Sequence, residues 1–107
     1  MPPTNVDRLR TGFEALKRRD LPVIFDLFAE DIEIYQTELL PWGGHYRGLS
    51  GVKAFFTILL QHIESQVDPQ QFVEAGDQVV AISRLHGRVR ANNNPFDLTA
   101  VHVWTFR

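Results

Sequence analysis

The 107-residue chain contains no cysteine, so it forms no disulfide bond. It also has no thiolate that could act as a nucleophile or as a metal ligand. Its longest apolar stretches fall well short of the ~20 residues that a membrane-spanning helix requires. Eleven basic and thirteen acidic residues give a formal net charge of −2, which provides no positive field for nucleic acid or anionic lipid. We therefore expect neither a nucleic-acid nor a membrane partner. Because no basic and apolar leader begins the sequence, we expect a cytoplasmic protein.

The composition is sufficient for one folded core. Hydrophobic residues make up 44% of the chain and aromatic residues 11%. A chain of this length builds one domain, residues 1–107, and buries only a modest fraction of its surface, which favours association with a partner.

The first half of the sequence predicts three helices. Thr4 or Asn5 can cap the first, whose apolar residues recur every three or four positions. Asp20 is expected to cap a short second helix. Ser50 is expected to cap a third, with a broad apolar stripe, which Asp68-Pro69 would end.

The remaining segments alternate in polarity as strands do. Residues 32–37 predict one strand, and the Gly76-Asp77 pair predicts the turn of a hairpin. A second hairpin joins residues 79–91 to residues 97–106 through an asparagine-rich turn. Helices followed by such a meander predict an α+β fold with an antiparallel sheet.

The last strand contains a candidate functional residue. Side chains alternate across a strand, so one face carries the even-numbered residues Ala100, His102, Trp104 and Phe106. A histidine between large aromatics suggests the floor of a pocket. The alternative is a core histidine whose hydrogen bond is satisfied within the protein.

Four segments in sequence resemble a known family. They are residues 19–21, residues 27–34, residues 48–56 and the final segment 101–107. Their order is similar to that of the family of ketosteroid isomerase, SnoaL-like polyketide cyclases and nuclear transport factor 2. The resemblance implies a cone-shaped, curved antiparallel sheet that wraps around the helices, encloses an apolar cavity and often forms a dimer. Family members usually continue into one more strand. This sequence ends before it, so we expect the protein to be either naturally short or truncated.

The resemblance also implies which chemistry is missing. Steroid isomerases of this family use a tyrosine, an aspartate base and a second acid, and the matching positions here hold Gly12, Gln36 and His102. Gly12 has no side-chain donor and Gln36 cannot accept a proton, so the isomerase mechanism is not encoded. His102 is the titratable group that remains at the oxyanion-binding position.

Glu38 is the candidate for another base. If the first strand extends that far, Glu38 shares a face with Ile34 and Gln36, and an apolar cavity would raise its pKa. The alternative is an ordinary solvated carboxylate beside a proline- and glycine-containing loop. Candidate pocket-lining residues are Ile34, Trp42, Phe55, Phe56 and Trp104.

Arg84, His86 and Arg88 form a second polar set along one strand face. Turned inward, Arg84 and His86 would resemble the arginine-x-acid pair of limonene epoxide hydrolases, with histidine replacing the acid. The opposite face is more apolar, so we expect the set to point outward, near a homodimer contact. The four histidines lack metal-ligand spacing, and we expect neither a metal nor a cofactor.

Two functions remain open. One is an isomerase-type or cyclase-type enzyme that acts by acid/base chemistry on a small hydrophobic carbonyl or polycyclic compound, with His102, Glu38 and Gln36 in the site. The other is a non-catalytic module that binds a small hydrophobic ligand or a protein partner. They differ in whether a second protonatable group lies beside His102.

Overall fold

A computed structural model describes residues 4–106 and has an α+β architecture, as the sequence predicts. The helices and strands follow in the order α1 (Asn5–Arg18), α2 (Leu21–Leu27), β1 (Glu33–Gln36), β2 (Gly44–Arg47), α3 (Gly48–His62), β3 (Ile63–Ala75), β4 (Gln78–Val89) and β5 (Pro95–Thr105). No helix within residues 4–106 is long and apolar enough to span a membrane.

Helix α1 has a defined beginning and end. The Thr4 hydroxyl accepts a hydrogen bond from the Asp7 amide, and the Asp7 carboxylate accepts one from the Thr4 amide, which makes a capping box. Arg19 adopts a left-handed conformation after the last turn. Leu9 and Phe13, four residues apart, are buried on one face, so α1 packs as the amphipathic helix that the spacing predicts.

The strands form two antiparallel sheets. β1 pairs with β2, and β4 lies between β3 and β5 in the second sheet. Leu9 and Phe13 of α1 pack on Val79 and Ala81 of β4, and these four residues form a buried core cluster. We call the face of the three-stranded sheet that contacts α1 its inner face.

The predicted bounds of the third helix are wrong at both ends. It begins at Gly48 after Arg47 rather than after a cap at Ser50, and it ends at His62. Asp68-Pro69 instead lies inside β3, where the register with β4 shifts between Pro69 and Gln71. Proline lacks an amide donor, and an edge strand with a bulge tolerates that loss.

Candidate functional site

The even-numbered residues of β5 face inward and carry the candidate site. In the register of β4 and β5, His102 lies opposite Ala81 and Trp104 lies opposite Val79, both of which are fully buried. His102 and Trp104 are partly buried, whereas Val101 and Val103, which alternate with them along the strand, are each 60% exposed. The alternation therefore turns the imidazole and the indole toward the inner face.

Three polar side-chain atoms on the inner face are buried without a hydrogen-bond partner among residues 4–106. They are Ser83 Oγ, His102 Nδ1 and Trp104 Nε1. Ser83 lies opposite Ala100, so it is the diagonal neighbour of His102 across the two strands. We call these three residues the polar strip. Leaving such a group unpaired costs about 1–3 kcal/mol, which apolar packing would not require.

Burial fixes the charge state of the imidazole. Removal from water disfavours the charged form, and the pKa of His102 is lowered from its ordinary value. At neutral pH the ring is therefore uncharged, with one nitrogen that donates and one that accepts. It can hydrogen-bond to a hydroxyl or to a carbonyl oxygen.

Sequence reasoning missed Ser83, which is 1% exposed. Its signal was present in the strand pattern, because Ser83 is the one hydroxyl on a face otherwise occupied by Val79, Ala81 and Leu85. A small polar residue among the buried apolar residues of a strand face is costly unless it forms a hydrogen bond. Such a residue therefore indicates a position with a specific role.

The aromatic residues predicted to line the pocket fall into two groups. Trp104 stacks on Phe28, which follows α2, with ring centroids 6.2 Å apart and planes inclined by 13°. Phe55 of α3 instead contacts Tyr46 and Phe56, with centroids 5.4 and 5.3 Å away.

Trp42 extends the second group. Its ring centroid lies 6.3 Å from that of His62, at the end of α3. Trp42, Phe55 and Phe56 thus belong to the packing between α3 and the β1–β2 hairpin, whereas Trp104 belongs to the polar strip.

The condition under which Glu38 would share a strand face with Ile34 and Gln36 is not met, and Glu38 fits the alternative of a solvated carboxylate beside the loop. β1 ends at Gln36, and the Leu40 amide donates to the Thr37 carbonyl, which makes a turn. Glu38 lies exposed in that turn, whereas Ile34 and Gln36 are partly buried. A Cβ at Gly43 would collide with the Thr37 carbonyl, so the loop folds tightly and leads the chain away from the strand face.

Arg84, His86 and Arg88 lie on the opposite, outer face of the sheet. Arg84 Nε donates to both carboxylate oxygens of Asp97, at 2.9 and 3.0 Å, and Arg88 donates to Glu64. The hydrogen bond from Arg84 lowers the pKa of Asp97, and that from Arg88 lowers the pKa of Glu64. Each guanidinium is therefore engaged by a carboxylate of its own chain.

His86 is engaged in the same way. Its Nε2 lies 2.7 Å from Asp68 Oδ2, and this hydrogen bond lowers the pKa of Asp68. Arg84 and His86 therefore do not form the inward-facing pair of an epoxide hydrolase.

A depression of about 450 Å³ opens beside this ion-pair region, and His102 and Trp104 do not line it. Its lining residues are Gln70, Ile82, Ser83, Arg84, Asp97, Leu98 and Thr99.

Within residues 4–106, histidine and acidic side chains form no group of three that could hold a metal ion. The polar strip has hydroxyl, imidazole and indole groups and lacks a carboxylate ligand. Its chemistry is suited to hydrogen bonding with an organic molecule.

Comparison with known proteins identifies relatives of this arrangement. Residues 9–107 match the SnoaL-like domain family. A nuclear transport factor 2-like protein of unknown function from Burkholderia pseudomallei is 30% identical, with a TM-score of 0.89 over 96% of this chain and 81% of that one. None of the curated proteins compared with the chain matches it.

Two solved structures similar in fold contain small molecules. TerC, crystallised with polyporic acid, is 24% identical, with a TM-score of 0.87 over 96% of this chain and 82% of that one. A protein from Catenulispora acidiphila with a ketosteroid isomerase-like fold, in complex with trimethylamine, is 18% identical, with a TM-score of 0.80 over 97% and 78%.

Proposed function

Because the chain belongs to the SnoaL-like domain family, we propose that it binds a small hydrophobic molecule against the inner face of its three-stranded sheet. His102 supplies the hydrogen bond that orients this ligand. The observation that carries the proposal is the polar strip, whose three buried polar atoms have no partner among residues 4–106. A ligand oxygen would satisfy the imidazole and the indole while the apolar surroundings exclude water.

The chemistry of the polar strip favours a ligand with an apolar body and an oxygen-bearing edge. Trp104 offers a donor, and Ser83 and His102 can each donate or accept. The flat ring pair of Trp104 and Phe28 suits contact with a planar molecule. Support comes from the co-crystal of TerC with polyporic acid and from the trimethylamine complex of the Catenulispora protein.

Acid/base catalysis on a carbonyl or polycyclic compound is the second candidate. The uncharged His102 favours it, because a neutral imidazole can accept a proton. Glu38 lies in an exposed turn and Gln36 cannot titrate, so neither supplies the base that such an enzyme would pair with His102. Ligand binding needs only the polar strip and is therefore the function that the geometry favours.

We also propose that the chain forms a homodimer through its three-stranded sheet. The support is the row of apolar side chains exposed on its outer face. Val73 is 41% exposed, and Val101 and Val103 are each 60% exposed. Exposed apolar residues that adjoin one another are a common feature of association surfaces.

Titration with polyporic acid tests the ligand proposal. In a Trp42→Phe background, Trp104 is the remaining tryptophan, and its fluorescence reports binding at the polar strip. His102→Ala should keep the fold and weaken affinity by about 1–3 kcal/mol, the cost of an unpaired buried partner. This corresponds to roughly 5- to 150-fold in Kd.

The matched control is His45→Ala, since His45 stacks on Tyr35 at the exposed hairpin. It should leave the affinity unchanged. Unchanged affinity in His102→Ala together with a lowered melting temperature would assign His102 to the core and contradict the proposal. Wild-type protein that binds neither polyporic acid nor a panel of steroid-like and polyketide-like compounds would also contradict it.

A further inference from the structure

Ser83 lies on the central strand of the three-stranded sheet and has a small residue on either side. It lies opposite Pro69 of β3 and opposite Ala100 of β5. Directly opposite residues project to the same face of a sheet, so the three side chains form one row across the inner face. We call Pro69, Ser83 and Ala100 the small-residue row. Because β4 is paired on both sides, two strand registers fix the position of this row.

The neighbouring rows of the inner face carry larger side chains. On one side, Ala81 lies between Phe72 of β3 and His102 of β5. The row on the other side consists of the aliphatic residues Val67, Leu85 and Leu98. Val67 and Phe72 pack against the core cluster, which places both rows on the inner face. Successive rows are about 6.6–6.8 Å apart, two residues along a strand, so the small-residue row is a trough with His102 on one wall.

The Ser83 hydroxyl is the one polar side-chain group of the small-residue row, and it is unpaired. Ser83 is 1% exposed, and its Oγ has no hydrogen-bond partner among residues 4–106. Alanine, which is present at 0% exposure in the next row as Ala81, would avoid the burial of an unpaired hydroxyl. The presence of serine therefore indicates a hydrogen-bond partner that is not part of the fold.

We propose that Ser83 is a specificity-determining residue, whose hydroxyl bonds to one oxygen of the ligand while His102 bonds to a second oxygen beside it. This inference rests on the proposed ligand binding and specifies the class of ligand. The ligand is a planar ring compound that carries a hydroxyl next to a carbonyl. A site with buried polar groups favours such a ligand over an analogue without the hydroxyl, because the analogue leaves one of these groups unpaired.

The spacing of the two residues suits a pair of adjacent oxygens. Diagonal neighbours across two antiparallel strands have Cβ atoms about 7–8 Å apart, and Ser83 and His102 are such neighbours. Two hydrogen bonds of about 2.8 Å, one to each oxygen on neighbouring ring carbons, span a gap of this size. The hydroxyl and the uncharged imidazole can each donate or accept, so together they match a carbonyl beside a hydroxyl.

Two quinones that differ only in their hydroxyl groups test the inference. Polyporic acid carries a hydroxyl beside each ring carbonyl, and the diphenylbenzoquinone that lacks these hydroxyls is the matched probe. In the Trp42→Phe background, quenching of Trp104 fluorescence measures both dissociation constants. The parent protein should bind polyporic acid more tightly. Ser83→Ala should weaken this affinity by roughly 5- to 150-fold and leave the affinity for the hydroxyl-free quinone unchanged.

Urea unfolding of the ligand-free protein separates this role from a structural one. Ser83→Ala removes an unpaired buried hydroxyl, so its urea midpoint should rise while its affinity for polyporic acid falls. A lowered midpoint together with an unchanged preference between the quinones would assign the hydroxyl to the fold. Retention of that preference by Ser83→Ala would overturn the inference whichever way the midpoint moves.

A matched serine provides the control. Ser65 lies on β3 opposite Gly87, two rows from the small-residue row, and Ser65→Ala should leave both affinities unchanged. Ala100→Val narrows the trough without removing the hydroxyl, so both quinones should bind more weakly by the same factor. Unchanged affinities in Ala100→Val would overturn the placement of the ligand in the trough.

The outcomes for the parent protein distinguish this inference from the proposed function. Equal affinities for the two quinones would overturn the role of Ser83 and keep the proposed ligand binding. Failure to bind either quinone would overturn the ligand class. Failure to bind the panel of steroid-like and polyketide-like compounds as well would also contradict the proposed function.

Discussion

Trp104 of β5 stacks on Phe28, the residue that follows α2, with 6.2 Å between the ring centroids. Trp104 also packs against the core cluster of α1 and β4. One side chain thus connects the second helix to the inner face of the sheet. The same side chain contributes Nε1 to the polar strip, so packing and the candidate site are coupled at this residue.

Phe28→Leu should lower stability and alter the tryptophan signal. Losing a stacked aromatic pair costs about 0.5–1.5 kcal/mol beyond the area that it buries. Thermal melts and Trp104 emission in a Trp42→Phe background measure both effects. Phe25→Leu is the control, because the Lys53 ammonium lies over the Phe25 ring, 5.6 Å from its centroid. Equal shifts of Trp104 emission in both variants would contradict a specific Phe28 contact.

Gly87→Ala should destabilise the fold. Gly87 lies on the central strand, where a Cβ would collide with the carbonyl oxygen of Glu64 on β3. Relieving such overpacking by backbone shifts typically costs about 1–3 kcal/mol. Urea unfolding measures the change. A urea midpoint equal to that of the wild type would contradict this prediction. It would mean that β3 and β4 move apart to accommodate the Cβ without a loss of stability.

Gly12→Ala should have the opposite effect. Gly12 lies inside α1, and a Cβ there would sit 3.5 Å from Leu27 Cδ1, an ordinary van der Waals contact. Alanine in a helix interior is more stable than glycine by about 0.5–1 kcal/mol. The urea midpoint should therefore rise, and a fall would indicate that the contact with α2 is too tight.

The sequence predicted those elements whose local signals agree with their tertiary contacts. The cap at Thr4 and the apolar spacing of α1 are consistent with packing on the sheet, and the two hairpins of the three-stranded sheet have strong turn signals. The end of α3 was mispredicted because the Asp68-Pro69 signal is local, whereas β3 is stabilised by pairing with β4. Twelve register pairs extend from Ile63–Val89 to Ala75–Gln78.

The candidate site was predicted only in part. Alternation along a strand is enough to place His102 and Trp104 on one face, because that geometry depends on a single strand. Ser83 was missed because its importance depends on lying diagonal to His102 across the sheet, which requires the register. Glu38 as a cavity base was left open beside a solvated carboxylate, because the length of β1 is set by the turn from Thr37 to Leu40, which the strand pattern does not reveal.

The stability of the protein should fall as the pH falls below about 6.5, the ordinary pKa of histidine. Burial lowers the pKa of His102 in the folded state, so the unfolded chain binds a proton at a higher pH than the folded chain. Its contribution is fully present above the unfolded pKa and is lost as the pH falls toward the folded pKa. The depressed pKa values of Glu64, Asp68 and Asp97 act below this window, since their ordinary values are near 4.

His102→Gln isolates this contribution, because glutamine retains a donor and an acceptor but does not titrate. Urea unfolding of wild-type and variant between pH 5 and pH 8 should give two curves that converge toward the acid end. Parallel curves for wild-type and His102→Gln would mean that the imidazole has the same proton affinity in the folded and unfolded states. That outcome would contradict a desolvated His102 in the polar strip.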